Sequence, residues 1–323
     1  MKHSRISLLE RAAEVYDFGA ALRAREALPI EPMAAPNEAP RADPVKPDEA
    51  PSVAAVRTAA AARIPVEART APAAPVRGGN EATVDRVALA EAGFVVPGAA
   101  TTGLAEEFRL IKRQLLAAIE RRVSLPEEKR RSVLITSAQP GEGKSFCAVN
   151  MALSLAGERD VEVLLVDGDF PKPDMPSILG IEGGPGLVDA LLDPGADPER
   201  FVIRTDVPGL SVLPAGAKSN NVPELLASER TREVLARLVA GDRKRIILFD
   251  SPPALVASPA TVLAGSVGQV LVVVRADRTT EADLRETIGL LSGCDQVSLI
   301  LNGAAIAVNG RNFGSYDGYG HDD

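Results

Sequence analysis

Tryptophan is absent from this chain, aromatic residues make up 3% of it, and only two histidines and two cysteines occur. Each shortage excludes something. His3 and His321 stand at opposite ends, which argues against an active site built on imidazoles. Cys147 and Cys294 are far apart and have no partner motif, which excludes a disulfide framework or a Cys-rich zinc site and suits a reducing cytosol. The longest aliphatic block, Val270 to Val274, is far too short to cross a bilayer, and Met1 to Arg11 lacks the apolar core of a signal peptide. A soluble chain is expected, with no membrane span of its own. A net charge of −8 and a pI near 5.1 argue against nucleic acid as a partner, because such proteins normally show a basic face.

Proline is unevenly spread. Ten prolines fall between Pro29 and Pro75 among Ala, Arg and Glu, with few large apolar residues to offset the entropy of ordering. Residues 26–82 therefore read as a disordered linker. Ahead of it, residues 1–25 carry Leu8, Ala12, Val15 and Leu22 at helical spacing, an amphipathic helix that either docks or frays. One α/β domain is expected over 83–310, followed by a flexible, tyrosine-containing tail over 311–323.

Within the domain, short aliphatic segments alternate with helical ones. Strands are expected at 132–137, 161–167, 210–213, 244–250, 269–275 and 296–301, and helices at about 144–157, 185–192, 222–240, 258–264 and 279–292. Runs such as Val161-Glu-Val-Leu-Leu-Val166 are nearly all apolar, as in a mostly parallel sheet covered by helices on both faces. A further helix begins near Thr102, a plausible N-cap. Leu104, Phe108, Ile111, Leu115 and Ile119 give it one apolar face, and Glu106, Arg109 and Lys112 a charged stripe.

The richest stretch is Ser137-Ala-Gln-Pro-Gly-Glu-Gly-Lys-Ser145, between a strand and a helix. From Ala138 it has the form of a phosphate-binding P-loop. Gly141 and Gly143 let the backbone curl so that its N–H groups face phosphate, Lys144 reaches the β/γ-phosphates, and the Ser145 hydroxyl can ligate Mg²⁺. The helix that follows adds the positive end of its dipole. Two other strands end in acids, one at Asp167-Gly168-Asp169 and one at Asp250-Ser251-Pro252-Pro253. In a parallel sheet the C-terminal strand ends share one edge, so Asp167, Asp169 and Asp250 should converge on the phosphates, where Mg²⁺ would balance their charge. The fold class expected is a P-loop NTPase sandwich.

These elements resemble the Walker A, A′ and B motifs of bacterial protein-tyrosine kinases, which act in polysaccharide assembly and export. The match covers about 83–323. The wording Glu106-Glu-Phe-Arg-Leu-Ile-Lys-Arg113 and the Ser7-Leu-Leu-Glu-Arg11 start look closest to the autokinases of exosortase-linked clusters. The resemblance implies ATP and Mg²⁺ as cofactors and in-line transfer of the γ-phosphoryl group to tyrosine. It implies catalytic roles for Lys144, Asp167, Asp169 and Asp250, with Ser145, Asp167 and Asp250 on the metal. Nucleotide contacts would come from Gly141, Glu142, Gly143, Lys144, Ser145, Phe146 and Asn302, the last toward adenine. It further implies autophosphorylation at Tyr316 and Tyr319, and a homo-oligomeric ring through Glu106, Arg109 and Lys112. A transmembrane chain-length or co-polymerase activator would recruit the chain to the inner face of the membrane.

Some positions depart from that pattern. Lys112 stands where a second Arg is expected, which would weaken ring contacts or shift them to Arg113, and Pro171 replaces a basic residue. Two alternatives compete. A Min/Par-type positioning ATPase shares the three motifs but needs a further P-loop lysine, and Gln139 occupies that position. A weakly active, nucleotide-gated scaffold of an export complex would keep the same residues.

Overall fold

The structure, a computed structural model, describes residues 80–304 other than 243. All of them fall in one compact unit.

Eight strands form one sheet: β1 (Asn80–Ala82), β2 (Ser132–Ser137), β3 (Glu162–Asp167), β4 (Ile203–Thr205), β5 (Leu210–Leu213), β6 (Arg245–Asp250), β7 (Gln269–Arg275) and β8 (Val297–Asn302). Their order is β1-β4-β5-β3-β6-β2-β7-β8, and every neighbouring pair is parallel except β4–β5. The helices are α1 (Arg86–Glu91), α2 (Gly103–Arg121), α3 (Glu127–Arg130), α4 (Lys144–Ala156), α5 (Met175–Leu179), α6 (Leu187–Leu192), α7 (Val222–Ala227), α8 (Glu229–Gly241), α9 (Ser258–Ala264) and α10 (Glu281–Leu290).

The central strands are buried almost throughout and largely apolar because both faces are covered. Their side chains alternate between two cores. Val133, Ile135, Val163, Leu165, Ile246 and Leu248 pack with α1, α2, α4 and α5 on one face. Leu134, Leu164, Val166, Ile247 and Phe249 pack with α6 to α9 on the other. Register fixes the site: Ile135 is level with Asp250, and Asp250 with Asp167, so the C-terminal ends of β2, β3 and β6 lie side by side.

The strands expected from the sequence all form, within a residue at either end. Two differences have physical causes. β1 lies within the stretch assigned to the linker, where Asn80–Ala82 pair with β4. The helix expected over 222–240 is two, because Ser228 adopts an extended backbone and bonds back to the Leu225 carbonyl at 2.6 Å. Thr102 caps α2 as expected, accepting from the Ala105 N–H at 3.2 Å, and Glu106 in the first turn pairs with Arg109.

Candidate active site

The P-loop joins β2 to α4 through backbone that only glycine adopts without strain. Gly143, the residue before α4, has φ 95°, and Gly141 has φ 78°. At Gly143 a side chain is also excluded sterically, since a β-carbon there would stand 2.1 Å from Asn302 Nδ2. The loop thus exposes its N–H groups at the N-terminus of α4, where the helix dipole favours an anion. The Lys144 ammonium lies 2.5 Å from Asp169 Oδ2 and 3.3 Å from Ser145 Oγ. Burial works against its charge, but Asp250 foremost, and then Asp169, raise its pKa above the usual lysine value.

Asp167 closes β3 with both oxygens engaged by backbone donors, Asp169 N–H at 3.2 Å and Met175 N–H at 3.1 Å. Burial nevertheless pushes its pKa up to about 6. Between the two acids, Gly168 donates to the Asp250 carbonyl at 2.7 Å, and a β-carbon there would meet that oxygen at 2.7 Å. Glycine is therefore what lets β3 and β6 bring their carboxylates together. Asp250 is fully buried, and neither of its oxygens has a hydrogen-bond partner among the described residues. Burial pushes its pKa up to about 7, opposed by Lys144 and by the Ser145 hydroxyl, whose approach stops short of a hydrogen bond. The sequence reading missed Asp174. Its carboxyl is raised chiefly by burial, faces Lys144 and Asp169 electrostatically, and has one buried oxygen without a partner.

The orphaned oxygens of Asp250 provide the test of whether a divalent cation fits. A buried carboxylate needs a partner, and Asp250, Asp167 and Ser145 supply hard oxygens beside the phosphate cradle. No cluster of three or more His, Cys, Asp or Glu side chains among the described residues is arranged to cage a metal alone. Mg²⁺ takes one or two carboxylates and fills its shell with phosphate oxygens and water, a donor set that Asp250, Asp167 and Ser145 could begin.

Other expected site residues are placed differently. Glu142 is fully buried and turned inward, accepting from the Gln139 N–H at 2.8 Å and from the Thr279 hydroxyl. It braces the loop, so its backbone alone is left for a nucleotide. The Phe146 ring packs 4.9 Å from Phe94 in the core, again leaving only the backbone N–H in the first turn of α4. Asn302 reaches the loop itself, donating to the Glu142 carbonyl at 2.9 Å. On α2, Glu106 and Arg109 pair with each other at the surface, as the stripe implied. Lys112 does not join them: it is buried, donating to the Ser154 carbonyl at 2.9 Å and pairing with Glu158 at 2.7 Å. It crosses to the C-terminal end of α4, where carbonyls attract a cation. Arg113, by contrast, is exposed. Tyr316 and Tyr319 lie outside the described residues. A groove of about 360 Å³ between α2 and β7–β8, lined in part by Ile111, Leu115 and Ile300, contains no P-loop residue.

Residues 128–207 match the family model described as ParA: NUBPL iron-transfer P-loop NTPase. Over 158 residues the chain is 38% identical to the putative tyrosine-protein kinase EpsB of Ralstonia nicotianae, covering 48% of this chain and 20% of that one. Over 217 residues it is 29% identical to the tyrosine-protein kinase YwqD of Bacillus subtilis, covering 67% and 85%. The solved BceF tyrosine kinase domain is 32% identical, with 60% and 76% covered and a TM-score of 0.50. The chain belongs to the bacterial tyrosine-kinase family. It spans about a fifth to a quarter of the length of the EpsB proteins it matches. As a bacterial tyrosine-kinase chain it has the family's P-loop fold, and its described residues include no helix long and apolar enough to cross a membrane.

Proposed function

We propose that this chain is an ATP- and Mg²⁺-dependent protein-tyrosine kinase that phosphorylates itself. The observation that carries the reading is the convergence of Lys144, Asp167, Asp169 and Asp250 on one sheet edge, with Asp250 buried and lacking a partner. The P-loop N–H groups and Lys144 hold and orient the β/γ-phosphates. Mg²⁺, when bound, neutralises phosphate charge. Asp167 takes the proton of the incoming tyrosine hydroxyl as the phenol oxygen bonds to the γ-phosphorus and the bond to the departing ADP breaks. Positioning and charge carry such a reaction, and both are stronger in a site walled off from water.

The acceptors in this reading are Tyr316 and Tyr319, two of only three tyrosines in the chain. Its setting is exopolysaccharide chain-length control and export, with recruitment to the inner face of the membrane by a transmembrane partner. A ring would be built through α2, from Glu106 and Arg109, with exposed Arg113 taking the place that inward-facing Lys112 leaves. The experiment is to incubate the full chain with ATP and Mg²⁺ and map phosphotyrosine by mass spectrometry. Phosphate should appear on Tyr316 or Tyr319; its absence from both would end the case for the tail as acceptor.

A further inference from the structure

We infer that Arg278 is a second phosphate-binding cation of this site, a guanidinium that the β7–α10 loop supplies to the polyphosphate of the bound nucleotide. The inference rests on the nucleotide-binding reading above and adds a residue to it that no motif contains.

The loop after β7 is folded tightly and fastened to the P-loop. Asp277 has φ 60°, the one positive value outside glycine among the described residues. The turn it makes places the Arg278 and Thr279 N–H groups 3.2 and 3.0 Å from the Arg275 carbonyl, and Arg275 N–H 2.8 Å from Thr279 Oγ1. From there the Thr279 hydroxyl donates to Glu142, and at the start of α10 Asp283 accepts from Gln139 Nε2 at 3.3 Å. Both Glu142 and Gln139 belong to the P-loop, so two contacts fix where this loop sits. Between them the Arg278 side chain lies across Gly141. Its Nη1 and Nη2 stand 3.2 and 3.8 Å from where a β-carbon of residue 141 would be.

Electrostatics gives this position a use. Lys144 is already paired with Asp169 and lies in the field of Asp250 and Asp174 as well. A polyphosphate entering here meets more carboxylates than ammonium groups, and Gln139 adds no charge. Arg278 is exposed and forms no hydrogen bond or ion pair among the described residues. Some other exposed arginines are tied to a neighbour on their own helix, Arg109 to Glu106, Arg232 to Glu229 and Arg285 to Glu281; what sets Arg278 apart is its place across Gly141 of the P-loop. An unpaired guanidinium on an anchored loop, at the rim of a phosphate cradle, offers the planar fork that binds phosphate oxygens bidentately.

The test is ATP and AMP affinity of the full chain, measured by competition with a fluorescent ATP analogue, for wild type, Arg278→Ala, Arg278→Lys and Lys144→Met. Arg278→Ala should weaken ATP by about tenfold, the loss of one charge-assisted contact, and leave AMP unchanged. Arg278→Lys should recover only part, because an ammonium cannot form the fork. Wild-type ATP affinity in Arg278→Ala, together with weakened binding in Lys144→Met, would overturn the role of Arg278 and leave the nucleotide site standing. An equal loss of ATP and AMP would also overturn it, by showing that the residue shapes the loop or meets the base. No ATP binding by wild type would overturn both readings.

Discussion

A carboxylate at 0% exposure with neither oxygen hydrogen-bonded costs the fold free energy whenever it is charged, and Asp250 is in that position. Its folded pKa of about 7 lies above the roughly 3.9 of an unfolded aspartate. The folded chain therefore holds the proton more tightly than the unfolded one. This contribution to stability is fully present below the unfolded value and is lost as pH rises through about 7. Asp167, raised to about 6, acts in the same direction. The nucleotide-free protein should thus lose stability between about pH 4 and 7 on account of these two groups. Asp250→Asn should melt at a higher temperature than wild type at pH 7.5 and flatten the pH dependence, while abolishing phosphoryl transfer. Calorimetry at pH 5.5 and 7.5 decides it; an Asp250→Asn variant less stable than wild type at pH 7.5 would contradict this account. At this scale the sequence was informative where a motif ties a residue to a strand end, as at Lys144, Asp167 and Asp250. It was silent on Asp174 and Arg278, which reach the site by the path of their loops in three dimensions and leave no local pattern.

Among the elements, α2 shows how far periodicity carries. Its apolar face packs as its spacing predicts, with Phe108, Leu115 and Ile119 buried. Lys112 belongs to that buried face as much as to the charged stripe, and a spacing of three from Arg109 cannot tell the two apart. Its aliphatic stem crosses the apolar surface and its ammonium finds Ser154 and Glu158. Lys112→Ala should cost about 1–3 kcal/mol, by leaving a carbonyl and a carboxylate without their donor. Arg109→Ala, at an exposed pair, should change stability by no more than about 0.5 kcal/mol. Urea unfolding of the two variants distinguishes them, and equal losses would contradict the inward placement of Lys112. The strands divide in the same way. β2, β3 and β6 are long apolar runs that declare themselves, whereas β1 and β4 are three residues each and exist only because a neighbour pairs with them. The break at Ser228 escaped the helical pattern because Leu225, Leu226 and the residues after it keep apolar spacing on both sides of it.

For the whole molecule, the surface of α2 and the two C-terminal tyrosines raise the question of assembly. Each tail phosphate adds roughly −1.5 to −2 charge beside Asp317, Asp322 and Asp323. If the proposed ring forms with the tail docked in a neighbour's acidic site, that charge should weaken the docking and loosen the ring. In sedimentation with ATP and Mg²⁺, wild type should disperse while the Tyr316→Phe/Tyr319→Phe double variant stays assembled. Wild type equally assembled after stoichiometric tail phosphorylation would rule out the switch and leave the kinase untouched.

The central claim is that Lys144 and the acids at the ends of β3 and β6 form one phosphoryl-transfer site. Its most direct test is transfer of label from γ-labelled ATP to protein tyrosine, with Mg²⁺, by wild type, Lys144→Met and Asp250→Asn, each shown to be folded by circular dichroism. The account predicts phosphotyrosine from wild type and none from either variant; undiminished label in both variants would contradict it.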